Sequence, residues 1–123
     1  MAHGVEGRDT PPARLDADSA AAVASTLQAL TAPSRLLILS RLRQSPSTVT
    51  ELSEATGMEQ SAVSHQLRLL RTLGLVVGAR HGKNVTYGLY DHHVASLLDE
   101  AVYHAEHLRL GAPDNPIAGA TPA

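Results

Sequence analysis

Residues 48–76, TVTELSEATGMEQSAVSHQLRLLRTLGLV, leave this chain few folds to choose from. Thr48 followed by Glu51 is a capping box, in which each side chain satisfies a backbone N–H that the first helical turn leaves unpaired. A short helix therefore runs through Leu52 and Ala55 until Gly57 forces a turn. A second helix spans about Glu59 to Leu73, where Val63, Leu67 and Leu70 recur at helical spacing and face a core. Two helices joined by a short glycine-bearing turn describe a helix-turn-helix. The open face of the second helix carries Gln60, Ser61, Ser64, His65 and Arg68. These short donors and one guanidinium suit the phosphates and base edges of a DNA major groove.

The next residues extend the same face. Gly74 ends the helix, Leu75-Val76-Val77 begins a strand, and a return strand from Asn84 to Tyr90 sets Val85, Tyr87 and Leu89 on one side. The turn between them, Arg80-His81-Gly82-Lys83, is basic, so the fold expected is mainly α with a β-hairpin wing: a winged helix-turn-helix whose Arg80 and Lys83 lie over the phosphate backbone or a minor groove. The formal net charge of −2 hides this, because all 12 acids lie outside residues 60–90. That window holds Arg68, Arg71, Arg80, Lys83, His65 and His81, and it is the local field that attracts phosphate.

With 123 residues, 43% hydrophobic and 2% aromatic, the chain suits one small domain with a core of Leu, Val and Ala. Such a core is thin, and a second copy of the chain can supply further buried area. Upstream, a helix from Asp16 or Asp18 to about Leu30 places Ala20, Val23, Leu27 and Leu30 on one face. Pro33 opens the next, Ser34 to about Arg43, with Leu36, Leu37, Leu39 and Leu42 turned inward. The domain expected is 16–108, between a disordered arm (1–15) and a Gly-, Pro- and Ala-rich disordered tail (109–123). No apolar run approaches the roughly 18 residues of a membrane span, and no targeting segment opens the chain, so no membrane partner and a cytoplasmic location are expected. The absence of cysteine excludes disulfides, thiolate metal sites and a Cys nucleophile. No His-Glu-x-x-His motif or placed general base supports a metal-dependent hydrolase, so no enzymatic activity is expected.

The last periodic stretch, Asp91 to His107, reads DHHVASLLDEAVYHAEH and holds four of the seven histidines on one amphipathic helix. His93 and His104 are about 20° apart around the axis but roughly 16 Å apart along it, so they share a face and cannot share a ligand. His104 and His107 can meet at one ion. A metal taking imidazoles from both ends must join the start of one such helix to the end of another, and an antiparallel second copy is the simplest source. His92, about 100° round from His93, reads as a solvated neighbour. Asp91 would face the wrong way on a regular helix, but at the N-cap its direction changes; capping alone also accounts for an Asp there. In the arm, His3 and the amine of Ala2, freed by removal of Met1, form a pair that can chelate a divalent metal, although a solvated tail histidine reads equally well.

LTAPSRLLIL, TELSEATGMEQSAVSHQLRLLRTLGLV and DHHVASLLDEAVYHAEH together resemble the ArsR/SmtB family of metal-responsive winged-helix repressors. HGVEGR at His3 to Arg8 and EQSAVSHQLR at Glu59 to Arg68 are similar to the nickel/cobalt-sensing side of that family. The resemblance implies a homodimer formed by the first and last helices, bound to an imperfectly palindromic operator. It also implies a site made of Asp91 and His93 from one protomer with His104 and His107 from the other. Thr48-Val49-Thr50 stands where cysteine-based sensors have Cys-Val-Cys, which argues against thiolate-bound metals. Four such donors suit tetrahedral Zn(II), whereas octahedral Ni(II) or Co(II) wants more; Ala2 and His3 could supply them, and that favours Ni(II)/Co(II). Arg109 stands where the nickel/cobalt-sensing relative has a further histidine. The function expected is a repressor whose metal-free dimer holds the operator and whose metal-bound form releases it. A zinc-responsive repressor and a DNA-binding dimer without metal input are the alternatives.

Overall fold

The computed structural model describes residues 13–111. Among these described residues, five helices and one hairpin occur in the order α1 (Ala17–Gln28), α2 (Pro33–Gln44), α3 (Val49–Thr56), α4 (Gln60–Thr72), β1 (Val76–His81), β2 (Asn84–Leu89) and α5 (His92–Leu110). Most of the boundaries have a local cause. Asp16 caps α1 by accepting from the Ser19 N–H at 2.8 Å, and Pro33 sits in the first turn of α2, where its missing donor costs nothing. Thr48 and Glu51 make the expected capping box at 2.8 and 3.2 Å. Gly57 ends α3 at φ +77°, a left-handed conformation that a side chain would strain. The turn is then stiffened by Ser53, whose hydroxyl donates to the Met58 carbonyl at 2.5 Å.

One apolar core joins all of these elements except α1. Ile38, Leu39 and Leu42 of α2, Leu52 of α3, and Val63, Leu67 and Leu70 of α4 are buried with Leu75, Val76, Val94 and Leu98. The three residues expected inward on α4 are inward. On α2 the expectation needs correction, because Leu36 and Leu37 are exposed and Ile38 takes their place. Successive residues lie about 100° apart on a helix, so a run of four apolar residues cannot all face one neighbour. The neighbour here selects positions 38, 39 and 42.

The hairpin pairs Val76 with Leu89 through to His81 with Asn84, which leaves only Gly82 and Lys83 in the loop. The turn is tighter than the four residues expected: Arg80 and His81 belong to β1, and Gly82 at φ +63° provides the positive angle a two-residue hairpin needs. β2 is also stitched to the linker before α3. The Ser47 N–H donates to the Tyr87 carbonyl at 2.9 Å and the Tyr87 N–H to the Ser47 carbonyl at 2.8 Å, with Ser47 fully buried. This bridge sets the wing beside the helix-turn-helix.

α5 leaves the body part-way along its length. Val94 and Leu98 are buried, and Arg43 of α2 grips Asp99 through two hydrogen bonds of 3.1 and 2.9 Å. Beyond that point every residue to Leu110 is exposed except the half-buried His107. The helix runs three residues past the expected His107, and two past the expected domain end at 108, and is capped by Gly111. α1 is also uncovered: Val23 and Leu27 are exposed and none of its residues is buried. Among the described residues no single helix is long and apolar enough to cross a membrane.

Candidate DNA-binding face and metal centre

Burial of Val63, Leu67 and Leu70 fixes which side of α4 faces out. Gln60, Ser61, His65 and Arg68 are exposed on that side and Ser64 is half-buried. Gln60 reaches back towards α3, its side-chain N–H donating to the Thr50 hydroxyl at 3.5 Å. Arg80 and Lys83 are exposed on the wing. Lys83, Asn84, Val85 and Tyr87 of the hairpin share one open groove with Thr48, Val49 and Thr50 at the start of α3. The helix-turn-helix and the wing thus form one surface, and residues 60–90 bring to it basic side chains and no carboxylate.

At the start of α5, Asp91 is the N-cap. One of its oxygens accepts from the Val94 N–H at 3.1 Å, and the other lies 3.2 Å from Nδ1 of His93. Burial pushes the Asp91 carboxyl up, but the Val94 N–H and the His93 ring outweigh it and hold the pKa below the ordinary value. The residue therefore stays an anion, with an oxygen beside an imidazole nitrogen. That oxygen–nitrogen pair is a donor set borderline divalent metals accept. His92 is exposed, its ring 4.4 Å from that of His93 between centroids.

The far end of α5 carries the other two candidates. His104 is exposed, and the His107 ring lies against Tyr103, centroids 4.3 Å apart. Arg109 pairs with Glu106. Among the described residues of one chain, no three His, Asp or Glu side chains come together in a way that could hold a metal ion. One chain brings Asp91 to His93 and sets His104 near His107, but it does not bring the two pairs together. Ala2 and His3 lie outside the described residues. Sequence reasoning passed over Arg43, Tyr103 and Gln66. Tyr103 alone had a local signal, its spacing of four residues from His107.

Residues 32–77 match the family described as "Bacterial regulatory protein, arsR family". Across nearly the whole chain there is similarity to the HTH-type transcriptional regulator NmtR of Mycobacterium tuberculosis, 67% identical over 97% of this chain and 100% of that one. The chain belongs to the ArsR family. A transcriptional repressor SmtB homolog of Synechocystis is 39% identical over 86% of this chain and 80% of its own. The solution structure of apo-NmtR has a TM-score of 0.69 at 64% identity, covering 97% of this chain and 100% of that one. A homodimeric winged helix-turn-helix DNA-binding domain of Mycobacterium bovis has a TM-score of 0.69 at 30% identity, covering 79% and 92%. As an ArsR-family member the chain is a transcriptional regulator with a winged helix-turn-helix fold, not an enzyme.

Proposed function

We propose that the chain is a metal-responsive transcriptional repressor, acting in the cytoplasm as a homodimer on an imperfectly palindromic operator. The observation that carries this is α5. It is held to the body only as far as Asp99, then continues with exposed Val102, Tyr103, Leu108 and Leu110 around His104 and His107. An exposed apolar helix end that also carries two imidazoles fits a second copy packed against it, and the Mycobacterium bovis domain is described as homodimeric.

In this reading Gln60, Ser61, Ser64, His65 and Arg68 enter a major groove while Arg80 and Lys83 hold phosphates. A two-fold axis repeats these contacts, so affinity depends on the spacing between the two α4 helices. Asp91 and His93 of one protomer, with His104 and His107 of the partner, would hold Ni(II) or Co(II), with Ala2 and His3 completing the larger coordination shell these ions take. A bound ion would bridge the protomers at their interface. Metal and operator then oppose each other by linkage, with a coupling of about 1–3 kcal/mol. Because an imidazole ligates through an unprotonated ring nitrogen, protons compete with the metal for these sites.

The test is an operator titration with and without Ni(II), Co(II) and Zn(II). Weaker operator binding with one of the metals is expected, and unchanged affinity with all three rules the mechanism out. The four donors of α5 alone fit tetrahedral Zn(II), which supports zinc as the second reading. Weak octahedral Co(II) absorption bands favour nickel/cobalt sensing, and intense tetrahedral bands favour zinc.

A further inference from the structure

α1 has no buried residue of its own, and the first buried position at its end is the C-cap, Ala29. Arg35, in the first turn of α2, lies across that junction. Its Nη1 donates to the Ala29 carbonyl at 3.3 Å, and its Nε donates to the side-chain oxygen of Gln66 at 2.8 Å. Arg35 and Gln66 are both half-buried. Gln66 stands on α4 between His65 of the outer face and Leu67 of the core, so a single guanidinium reaches from the end of α1 to the middle of the recognition helix.

The two contacts constrain more than a pairing. A guanidinium is planar and holds its donors in a fixed fork, so bonding at two places sets the separation and orientation of the groups it bonds; a lysine ammonium does neither. The core anchors of α4 are Val63, Leu67 and Leu70, whose apolar packing has no direction of its own, and the one other side-chain tie among the described residues, Gln60 to Thr50, is long at 3.5 Å and lies at the first residue of the helix. The Gln66 bond is directional and resists rolling of α4 about its axis. We propose that Arg35 is a positioning residue that couples the end of α1 to the rotation of α4, so that the placement of α1 in the dimer sets how the recognition face meets the operator. This rests on the reading of α4 as the operator-binding helix and of α1 as part of the dimer interface.

The experiment uses the full chain and an operator duplex selected by the wild-type protein from random DNA. Operator and non-specific DNA affinities are measured by fluorescence anisotropy for wild type, R35M, R35K, Q66L and the R35M/Q66L double variant. Sedimentation gives the dimer constant, and thermal melting reports folding. R35M and Q66L are each expected to lose about tenfold in operator affinity, the size of one charge-assisted hydrogen bond. The double variant loses no more than either single one, R35K fails to restore binding, and non-specific affinity and dimerisation stay at wild-type values. Wild-type operator affinity in R35M and Q66L overturns the proposal. So do losses that add in the double variant, or a loss that tracks a weakened dimer. If R35M does not fold, the operator-to-non-specific ratio of Q66L decides, its loss supporting the proposal and its retention overturning it. A wild-type chain that selects no sequence from random DNA overturns the DNA-binding reading itself and this proposal with it.

Discussion

Asp91 divides one carboxylate between the Val94 N–H and the His93 ring, so a single side chain both starts α5 and orients a candidate ligand. Asparagine keeps a cap acceptor and loses the anion. D91N is therefore expected to change stability by no more than about a few tenths of a kcal/mol while weakening metal binding, as read by chemical denaturation beside a Co(II) titration. Stability intact with metal affinity unchanged would reduce Asp91 to a cap. His104 stands on the exposed part of α5, away from the core. H104A is expected to leave operator binding of the metal-free protein within about twofold of wild type and to abolish its response to metal, a loss of the whole coupling of about 1–3 kcal/mol. The histidines and their shared face were legible because helical spacing is a local property. Arg43 with Asp99 and Arg35 with Gln66 were not, since they join positions 56 and 31 residues apart that meet only after folding.

The helix-turn-helix shows how far local chemistry reaches. The capping box at Thr48, the stop at Gly57 and the apolar positions of α4 are each decided within a few residues, and each holds in the structure. At Gly57 any side chain is strained, because its φ of +77° lies in the left-handed region. G57A is expected to cost about 1–2 kcal/mol, measured as a lower urea midpoint at unchanged slope. A shift under about 0.3 kcal/mol would show that the turn relaxes. α2 marks the limit of such reasoning. Its run Leu36-Leu37-Ile38-Leu39 is apolar on all sides, and only the position of its neighbours determined that Leu36 and Leu37 face out. The wing repeats the lesson: its strands were legible from alternation, while the Ser47–Tyr87 bridge that aims it was not.

Four carboxylates make the assembled protomer sensitive to acid. The Ser19 N–H holds Asp16 below its ordinary 3.8, Thr48 holds Glu51 below 4.5, and Arg43 holds Asp99 below 3.8; Asp91 is lowered too, despite the opposing push of burial. A carboxylate depressed in the folded state stabilises it above the unfolded pKa, and that contribution disappears as pH falls through the folded value. The melting temperature is therefore expected to hold from about pH 7 to 5 and to fall below about pH 4, as followed by circular dichroism. A melting temperature that rises below about pH 4 would contradict these caps and pairs. The same protomer exposes apolar faces on α1 and the outer half of α5, the surfaces that a second copy would cover in the homodimer proposed above.

The sequence alone determined the elements, the outward face of α4, the basic window and the candidate donors on α5, because capping, turn formation and helical periodicity act over a few residues. It also excluded a complete site on one α5, since eleven residues of helix separate His93 from His104 by more than an ion can bridge. Tertiary structure decided which side of α2 is buried, where α5 leaves the body, how the wing is anchored and which guanidinium ties α1 to α4. Those are meetings between residues distant in the chain, and no local preference specifies them.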